Sequence, residues 1–269
     1  MKQSKFNKRP MSFVLTASDF GCMLVNRHDY HPQEPNKGVG IELLNTSHFS
    51  PYEVSVLKQL VDLQRKNHGD NVVVLDCGAN IGTHTVQLAK HMHNWGKVFA
   101  FEPQERVFYA LAGNITLNNC SNAHAYHVAL GDKEGFINIP VADHNLPACF
   151  GSLEMLKTDN NAYIGQDVSY SKGTCKTRLM TIDSMSLKRV DFIKMDVEGM
   201  EMYALEGARN TIKNLRPAIF IERMKTDENK IKDFLLPLGY ITYPFGINLL
   251  TTHKSDTAML KIMEKLSYE

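Results

Sequence analysis

Residues 72–92 read VVVLDCGANIGTHTVQLAKHM, and the run changes its period halfway. Val72, Val73, Val74 and Leu75 form an unbroken apolar stretch that ends in Asp76, the pattern of a strand covered on both faces of a parallel sheet. Beyond Gly82 the apolar positions are Leu88, Ala89 and Met92, which is helical spacing. The segment between them is a strand-to-helix turn. Gly78 and Gly82 free its backbone and strip it of side chains, so a ligand can lie against the main chain. In open α/β sheets such ligands sit beyond the carboxyl ends of the strands, and a nucleoside-like molecule is expected here.

Spacing selects the nucleoside. A dinucleotide fingerprint reads G-x-G-x-x-G; this turn has Gly78, Asn80 and Gly82, with Thr83 where a third glycine of that pattern would fall. Asp76 faces the turn from the strand end, and an acid there suits a ligand carrying an ammonium group, such as the methionine part of S-adenosylmethionine (SAM), better than a pyrophosphate. An NAD(P)-dependent oxidoreductase is the alternative from another class.

The chain has 269 residues, 43% of them hydrophobic, enough for one large α/β domain with additions and too apolar for wholesale disorder. Its net charge of +1 gives no electrostatic reason to expect nucleic acid as partner. The five cysteines are scattered, without a disulfide framework or a C-x-x-C motif, so a reducing cytoplasm is the default expectation. No apolar stretch reaches membrane-spanning length, and Ser18, Asp19 and Gly21 interrupt the apolar run that a signal peptide would need. Composition says nothing of oligomeric state.

Residues 1–10 read as a solvated basic tail, and 12–26 as a hairpin turning at Asp19-Phe20-Gly21. A loop follows. Ser50, Pro51 and Glu53 then predict a helix start closed by a capping box. Strands are expected at 72–76, 98–103, 124–130, 191–196 and 218–222, alternating with helices, and 239–253 as two strands joined around Phe245-Gly246. Residues 176–183 read as an extra strand, and 141–172 as an irregular insertion. The division is an N-terminal extension, 1–49, that could cover the acceptor site, and one domain, 50–269.

Carboxylates close four of the five parallel strands: Asp76, Glu102, Asp196 and Glu222. An acid at the end of the second strand suits both hydroxyls of a ribose, which assigns Glu102 to that role. Asp132, after the third strand, is placed to reach an adenine amino group, although capping the next turn is nearly as good an explanation. In FIKMDVEGMEMYALEGA, Asp196 and Glu198 stand at a strand end, Gly199 turns the backbone, and Glu201 opens a helix, where an acid also favours the helix dipole.

Taken together, DCGANIGTHT, the FEP at 101–103 and IKMDVEGMEMYALEGA resemble the FkbM family of class I SAM-dependent methyltransferases, from about Tyr52 to His253. The resemblance implies a Rossmann-like three-layer sandwich with a mostly parallel seven-stranded sheet and a reversed last strand. It also implies SAM as cofactor and O-methylation of a hydroxyl on a sugar, glycan or other small-molecule acceptor. On matching positions it sets Asp76, Gly78, Asn80 and Gly82 along the methionine end, Thr85 on the following helix and Glu102 at the ribose.

An alcohol is barely ionised at neutral pH, so a side chain must take its proton as the new bond forms. Asp196 and Glu198 are the candidate bases, with Glu201 third. The rival is Mg²⁺ held by Asp196 and Glu222, which is not favoured because only one acid follows the fifth strand, beside Arg223. His84 is expected to pack rather than to catalyse, and Trp95 to pack at a helix end. Methylation of a nucleotide or RNA cap hydroxyl, and a noncatalytic SAM-binding module, are the remaining alternatives.

Overall fold

The computed structural model describes residues 11–266; the expected basic tail lies outside them. The chain opens with the hairpin β1 (Phe13–Ser18) and β2 (Gly21–Asn26), followed by α1 (Val39–Thr46) and α2 (Pro51–His68). Next come β3 (Val72–Cys77), α3 (Thr83–His91), β4 (Gly96–Phe101), α4 (Glu105–Leu117), β5 (Ala123–Tyr126), β6 (Ala129–Leu130) and β7 (Gly135–Ile139). The second half contributes β8 (Cys175–Met180), β9 (Phe192–Met195), α5 (Glu201–Glu206), α6 (Arg209–Leu215), β10 (Ala218–Glu222) and α7 (Glu228–Leu235). It ends with β11 (Tyr240–Phe245), β12 (Asn248–His253) and α8 (Thr257–Leu266).

The central sheet has seven strands in the order β11-β12-β10-β9-β3-β4-β5. β12 is the reversed one, antiparallel to both β10 and β11. Period-2 alternation sorts each strand's side chains between two cores. Val72, Val74, Phe192, Phe220 and Leu250 face α2, α3 and α8, whereas Leu75, Ile193, Met195, Ile221 and Leu249 face α5, α6 and α7. Each large side chain buried this fully contributes roughly 1.5–3 kcal/mol. The result is the expected three-layer α/β sandwich. The order reverses at β3, so the crevice beyond the carboxyl ends of β3, β4 and β9 is the place for a ligand.

Local differences from the sequence reading have local causes. The expected strand 124–130 breaks after Tyr126; Ala129 and Leu130 leave the main sheet and pair with β8 in a separate three-stranded sheet with β7. α2 does begin at Pro51, but Ser50 lies in the left-handed region (φ 43°) and makes no side-chain cap. Glu53 is drawn instead to His84 and Asn248, at 2.9 and 3.2 Å, so no capping box forms. The helix expected after β9 is two helices, because the chain at Gly207 lies against the Gly131 carbonyl, where an added Cβ would sit 1.9 Å from that oxygen. α1 and α8 were not anticipated. Trp95 packs at the end of α3 as expected, and its indole N–H also donates to the His91 carbonyl at 3.0 Å.

The N-terminal segment does not stand apart. The Ala148 amide donates to the His28 carbonyl (3.0 Å), Asn26 Nδ2 to the His144 carbonyl (2.9 Å), and the His31 ring meets the Tyr163 carbonyl (3.2 Å). Extension and insertion thus pack as one layer.

Candidate active site

β3 and β9 are parallel neighbours whose register sets Asp76 directly beside Lys194. Both follow an apolar residue by two positions, so both point toward the α2 and α3 side, and the row changes from hydrocarbon to charge at the edge of the sheet. Lys194 Nζ lies 3.6 Å from Asp76 Oδ1, 3.6 Å from Asp196 Oδ2 and 3.2 Å from the Gly78 carbonyl. Burial alone would lower this ammonium, but Asp196 and Asp76 outweigh it and hold Lys194 above the ordinary lysine range. Asp76 is 0% exposed, and its other oxygen accepts from Thr85 Oγ1 at 2.6 Å. The sequence reading set Asp76 against a ligand's ammonium. Instead it lies beneath the turn, anchoring α3 through Thr85 and paired with the chain's own cation.

The turn above it is tight. Gly78, Asn80 and Gly82 all have positive φ, at 79°, 50° and 89°. A Cβ on Gly78 would lie 1.7 Å from the Asp196 carbonyl oxygen, so only glycine lets the turn reach the end of β9. Glu102 is 4% exposed and accepts two backbone amides, from Asn80 to Oε2 (3.0 Å) and from Gln104 to Oε1 (2.9 Å). Burial raises its carboxyl to about 7 despite these bonds. Each oxygen keeps a second lone pair, so the group is oriented but not exhausted as an acceptor. Beside it runs a narrow apolar slot lined by Gly78, Phe101, Pro103, Val128, Leu130 and Met200. Asp132 does not line this slot; it is exposed and borders the neighbouring open cavity.

Asp196, Glu198 and Glu222 converge at the ends of β9 and β10, with carboxylate oxygens within 4.8 Å of one another. Asp196 Oδ1 and Glu222 Oε2 are buried without a hydrogen-bond partner among the described residues. Glu198 is held in the left-handed region (φ 53°), a conformation uncommon for a residue with a Cβ. Glu201 holds it there: its Oε1 accepts the amides of Val197 (3.0 Å) and Gly199 (3.3 Å), and its Oε2 the Thr226 hydroxyl. With both oxygens so engaged and 0% exposure, Glu201 is built into the turn. Lys225 donates to Glu198 and, at 2.7 Å, to the Ser152 carbonyl. Burial first, then Asp196, raises Glu198 well above the usual carboxylate range. Burial, Asp196 and Glu201 raise Glu222 to about 8. Even with Lys194 and Lys225 present, the cluster is short of positive charge.

These shifts make stability depend on pH. Glu102 and Glu222 keep their protons in the folded state to about 7 and about 8, far above a free carboxyl, so the folded chain binds more protons there and loses stability as pH rises. Histidines act oppositely but lower down: His144 is lowered to about 4 by burial, so its contribution is complete above about pH 6.5, the unfolded value. The urea midpoint of the ligand-free protein should therefore fall between about pH 6.5 and 8.5, by on the order of 1–3 kcal/mol in stability. A flat or rising profile would contradict the burial of these carboxyls.

An open cavity of about 1160 Å³ adjoins the cluster. It is lined by insertion residues such as Glu154 and Leu156, by Glu198, Met224 and Lys225 from the loops after β9 and β10, and by Met202 of α5. A second open cleft, at the opposite edge of the sheet, holds Arg189, which is committed to Asp191 and to the carbonyls of Asp70 and Gly69. His84 is buried against Glu53, as its packing role predicts.

Sequence reasoning missed Lys194, Lys225 and Gln104. Lys194 had a signal: a lone cation in the apolar run FIKM, two positions before Asp196 and so on the same face of its strand. Lys225 and Gln104 had none, because only the folded loops bring them to the site.

The profile of the methyltransferase FkbM domain matches residues 76–269. Among curated proteins, the chain is similar to Methyltransferase 1 of Beauveria bassiana (strain ARSEF 2860), 27% identical over 148 residues, spanning 51% of this chain and 59% of that protein. It is also similar to Methyltransferase sdnD of Sordaria araneosa, 26% identical over 165 residues, 52% of this chain and 62% of that protein. These matches span about six tenths of each relative's length. Among solved structures, the methyltransferase FkbM from Methylobacillus flagellatus KT aligns with a TM-score of 0.49 at 20% identity, covering 68% of this chain and 44% of that one. With the glycine turn, the strand-end acids and the DVEG turn all inside the matched region, the chain belongs to the FkbM methyltransferase family.

Proposed function

We propose that the protein transfers a methyl group from SAM to a hydroxyl of a small-molecule or glycan acceptor, with Asp196 taking the proton. The observation that carries this reading is the anion-rich row at the ends of β3, β9 and β10, beside a turn whose backbone is bared at Gly78. Burial first, and then the neighbouring Asp196, raise the carboxyls of Glu198 and Glu222, and a cationic donor beside them would favour their charged forms. The apolar walls beside Gly78, from Phe101, Pro103, Val128 and Met200, would pack on an adenine once they part to admit it, and Glu102 retains the lone pairs to accept ribose hydroxyls. Gly78, Asn80 and Gly82 would hold the methionine end, with Thr85 and Asp76 fixing the turn from below.

SAM supplies a methyl carbon activated by its sulfonium, and the protein supplies alignment and proton removal. Asp196 fits the base best. Its Oδ2 is steadied by Lys194, while its Oδ1 has no hydrogen-bond partner among the described residues. Glu198 is tied to Lys225, and Glu201 to its own turn. Lys225 and Lys194 are the cluster's cations, so we assign proton removal to a carboxylate rather than to Mg²⁺ at Asp196 and Glu222; turnover in EDTA should equal turnover with added Mg²⁺. The acceptor would lie in the open cavity, whose mixture of methionine, leucine and charged walls suits a molecule with an apolar body and a terminal hydroxyl.

The test is SAH release from SAM with a panel of alcohols, phenols and sugars beside matched amines and carboxylic acids. Turnover confined to hydroxyl acceptors supports the reading. Methylation of only the amines or acids would contradict it.

A further inference from the structure

A continuous line of hydrogen bonds runs from the N-terminal segment, outside the matched family region, to the acid assigned to the ribose. Asp29 lies in the loop before α1 and is 3% exposed. Its Oδ2 accepts the Gly40 amide at 2.9 Å, and its Oδ1 accepts the Phe150 amide, from the insertion, at 3.1 Å. The Phe150 carbonyl accepts Gln104 Nε2 at 3.0 Å, and the Gln104 amide donates to Glu102 at 2.9 Å. The other Glu102 oxygen receives the Asn80 amide of the glycine turn. Phe150 and Gln104 are themselves 2% and 7% exposed, so no link in the line has water as an equal alternative partner.

The spacing around this line leaves little room for rearrangement. A Cβ on Gly38 would sit 2.3 Å from the Asp29 carbonyl oxygen, and one on Gly151 would sit 2.7 Å from Asn80 Nδ2. Backbone pairing of Asp29 with Ala148 and the bond from Lys225 to the Ser152 carbonyl hold the Phe150 turn on either side.

We propose that Asp29 is a positioning residue for the cofactor's ribose: it fixes the Phe150 turn over the glycine turn, and through Gln104 fixes the direction in which Glu102 presents its carboxylate. The N-terminal segment is then part of the cofactor site rather than only a cover for the acceptor. This inference rests on the reading above that Glu102 receives the ribose hydroxyls.

The experiment is calorimetric titration of SAH and of 2′-deoxy-SAH into the full chain, as wild type, Asp29→Ala, Gln104→Ala and the double variant, with thermal melts to confirm folding. In wild type the deoxy compound should bind about 10–30-fold more weakly, because it leaves a buried carboxylate without its hydroxyl. In Asp29→Ala, SAH should weaken by about tenfold and the ratio between the two ligands should shrink below about threefold, a change that general loosening of the fold would not produce. The double variant should bind SAH no worse than the weaker single one. A folded Asp29→Ala protein that keeps the wild-type ratio, or losses that add in the double variant, would overturn the proposal. Should Asp29→Ala fail to fold, Gln104→Ala decides: a narrowed ratio supports the line, and an unchanged one overturns it. A wild type indifferent to the deoxy change would overturn this inference and leave cofactor binding standing, whereas a wild type that binds neither SAM nor SAH would overturn the methyltransferase reading itself.

Discussion

Asp196→Asn is expected to cut turnover by about 10²–10⁴-fold while SAH affinity stays within a few-fold of wild type. The substitution keeps the shape of the side chain and leaves Oδ1 or Nδ2 in the same place, but an amide cannot accept the proton of an attacking alcohol. The main-chain carbonyl of residue 196, against which the Gly78 turn packs, is untouched, so the cofactor cradle should survive. Single-turnover rates with an accepted alcohol, beside calorimetric titration of SAH, separate the two effects. Full turnover in the variant would move the base elsewhere, first to Glu198. Loss of SAH binding together with turnover would make Asp196 part of the cradle.

Lys194→Met is expected to destabilise the fold by about 3–5 kcal/mol, the range found when one partner of a buried ion pair is removed. Lys194 is 5% exposed and Asp76 0%, and Asp76 Oδ1 has no hydrogen-bond partner among the described residues. Methionine fills the aliphatic part of the space, so nearly all of the cost is the stranded carboxylate. The double variant Asp76→Asn with Lys194→Met removes both charges and should recover at least half of the lost stability, as read from urea unfolding midpoints. If the single variant is within about 1 kcal/mol of wild type, Lys194 is not the partner that sustains Asp76 and the charge row has been misassigned.

The parts of this fold that could be read in advance are those governed by short periods. The change from period 2 to helical spacing around Gly78 marks β3 and α3, and AIFIE coincides with β10 because both of its faces are covered. The reversed final strand followed from the family resemblance, and Phe245-Gly246 gave its hairpin. α1 escaped because its stretch, VGIELLNT, carries Gly40 and Asn45, is preceded by Gly38 and follows a loop with Pro32 and Pro35; the packing of Val39 and Leu43 in the core holds it. β6 escaped because two residues carry no period, and its partner β8 lies far along the chain.

The site divides along the same line. Carboxylates at strand ends could be counted from the sequence, and their convergence follows from the sheet. Which of them are committed to structure could not be seen: Asp76 under the turn and Glu201 across the DVEG turn are settled by Lys194, Thr85, Val197 and Thr226 in three dimensions. The bond from Phe150 to Asp29 joins residues 121 apart in sequence, a separation at which no local pattern leaves a trace.

A crystal structure with SAH bound tests the central claim most directly. The account predicts the ribose hydroxyls on Glu102, the adenine in the slot between Pro103 and Met200, and the sulfur facing Asp196 across the mouth of the open cavity. SAH bound with its ribose turned away from Glu102, or with its sulfur remote from Asp196, would contradict it.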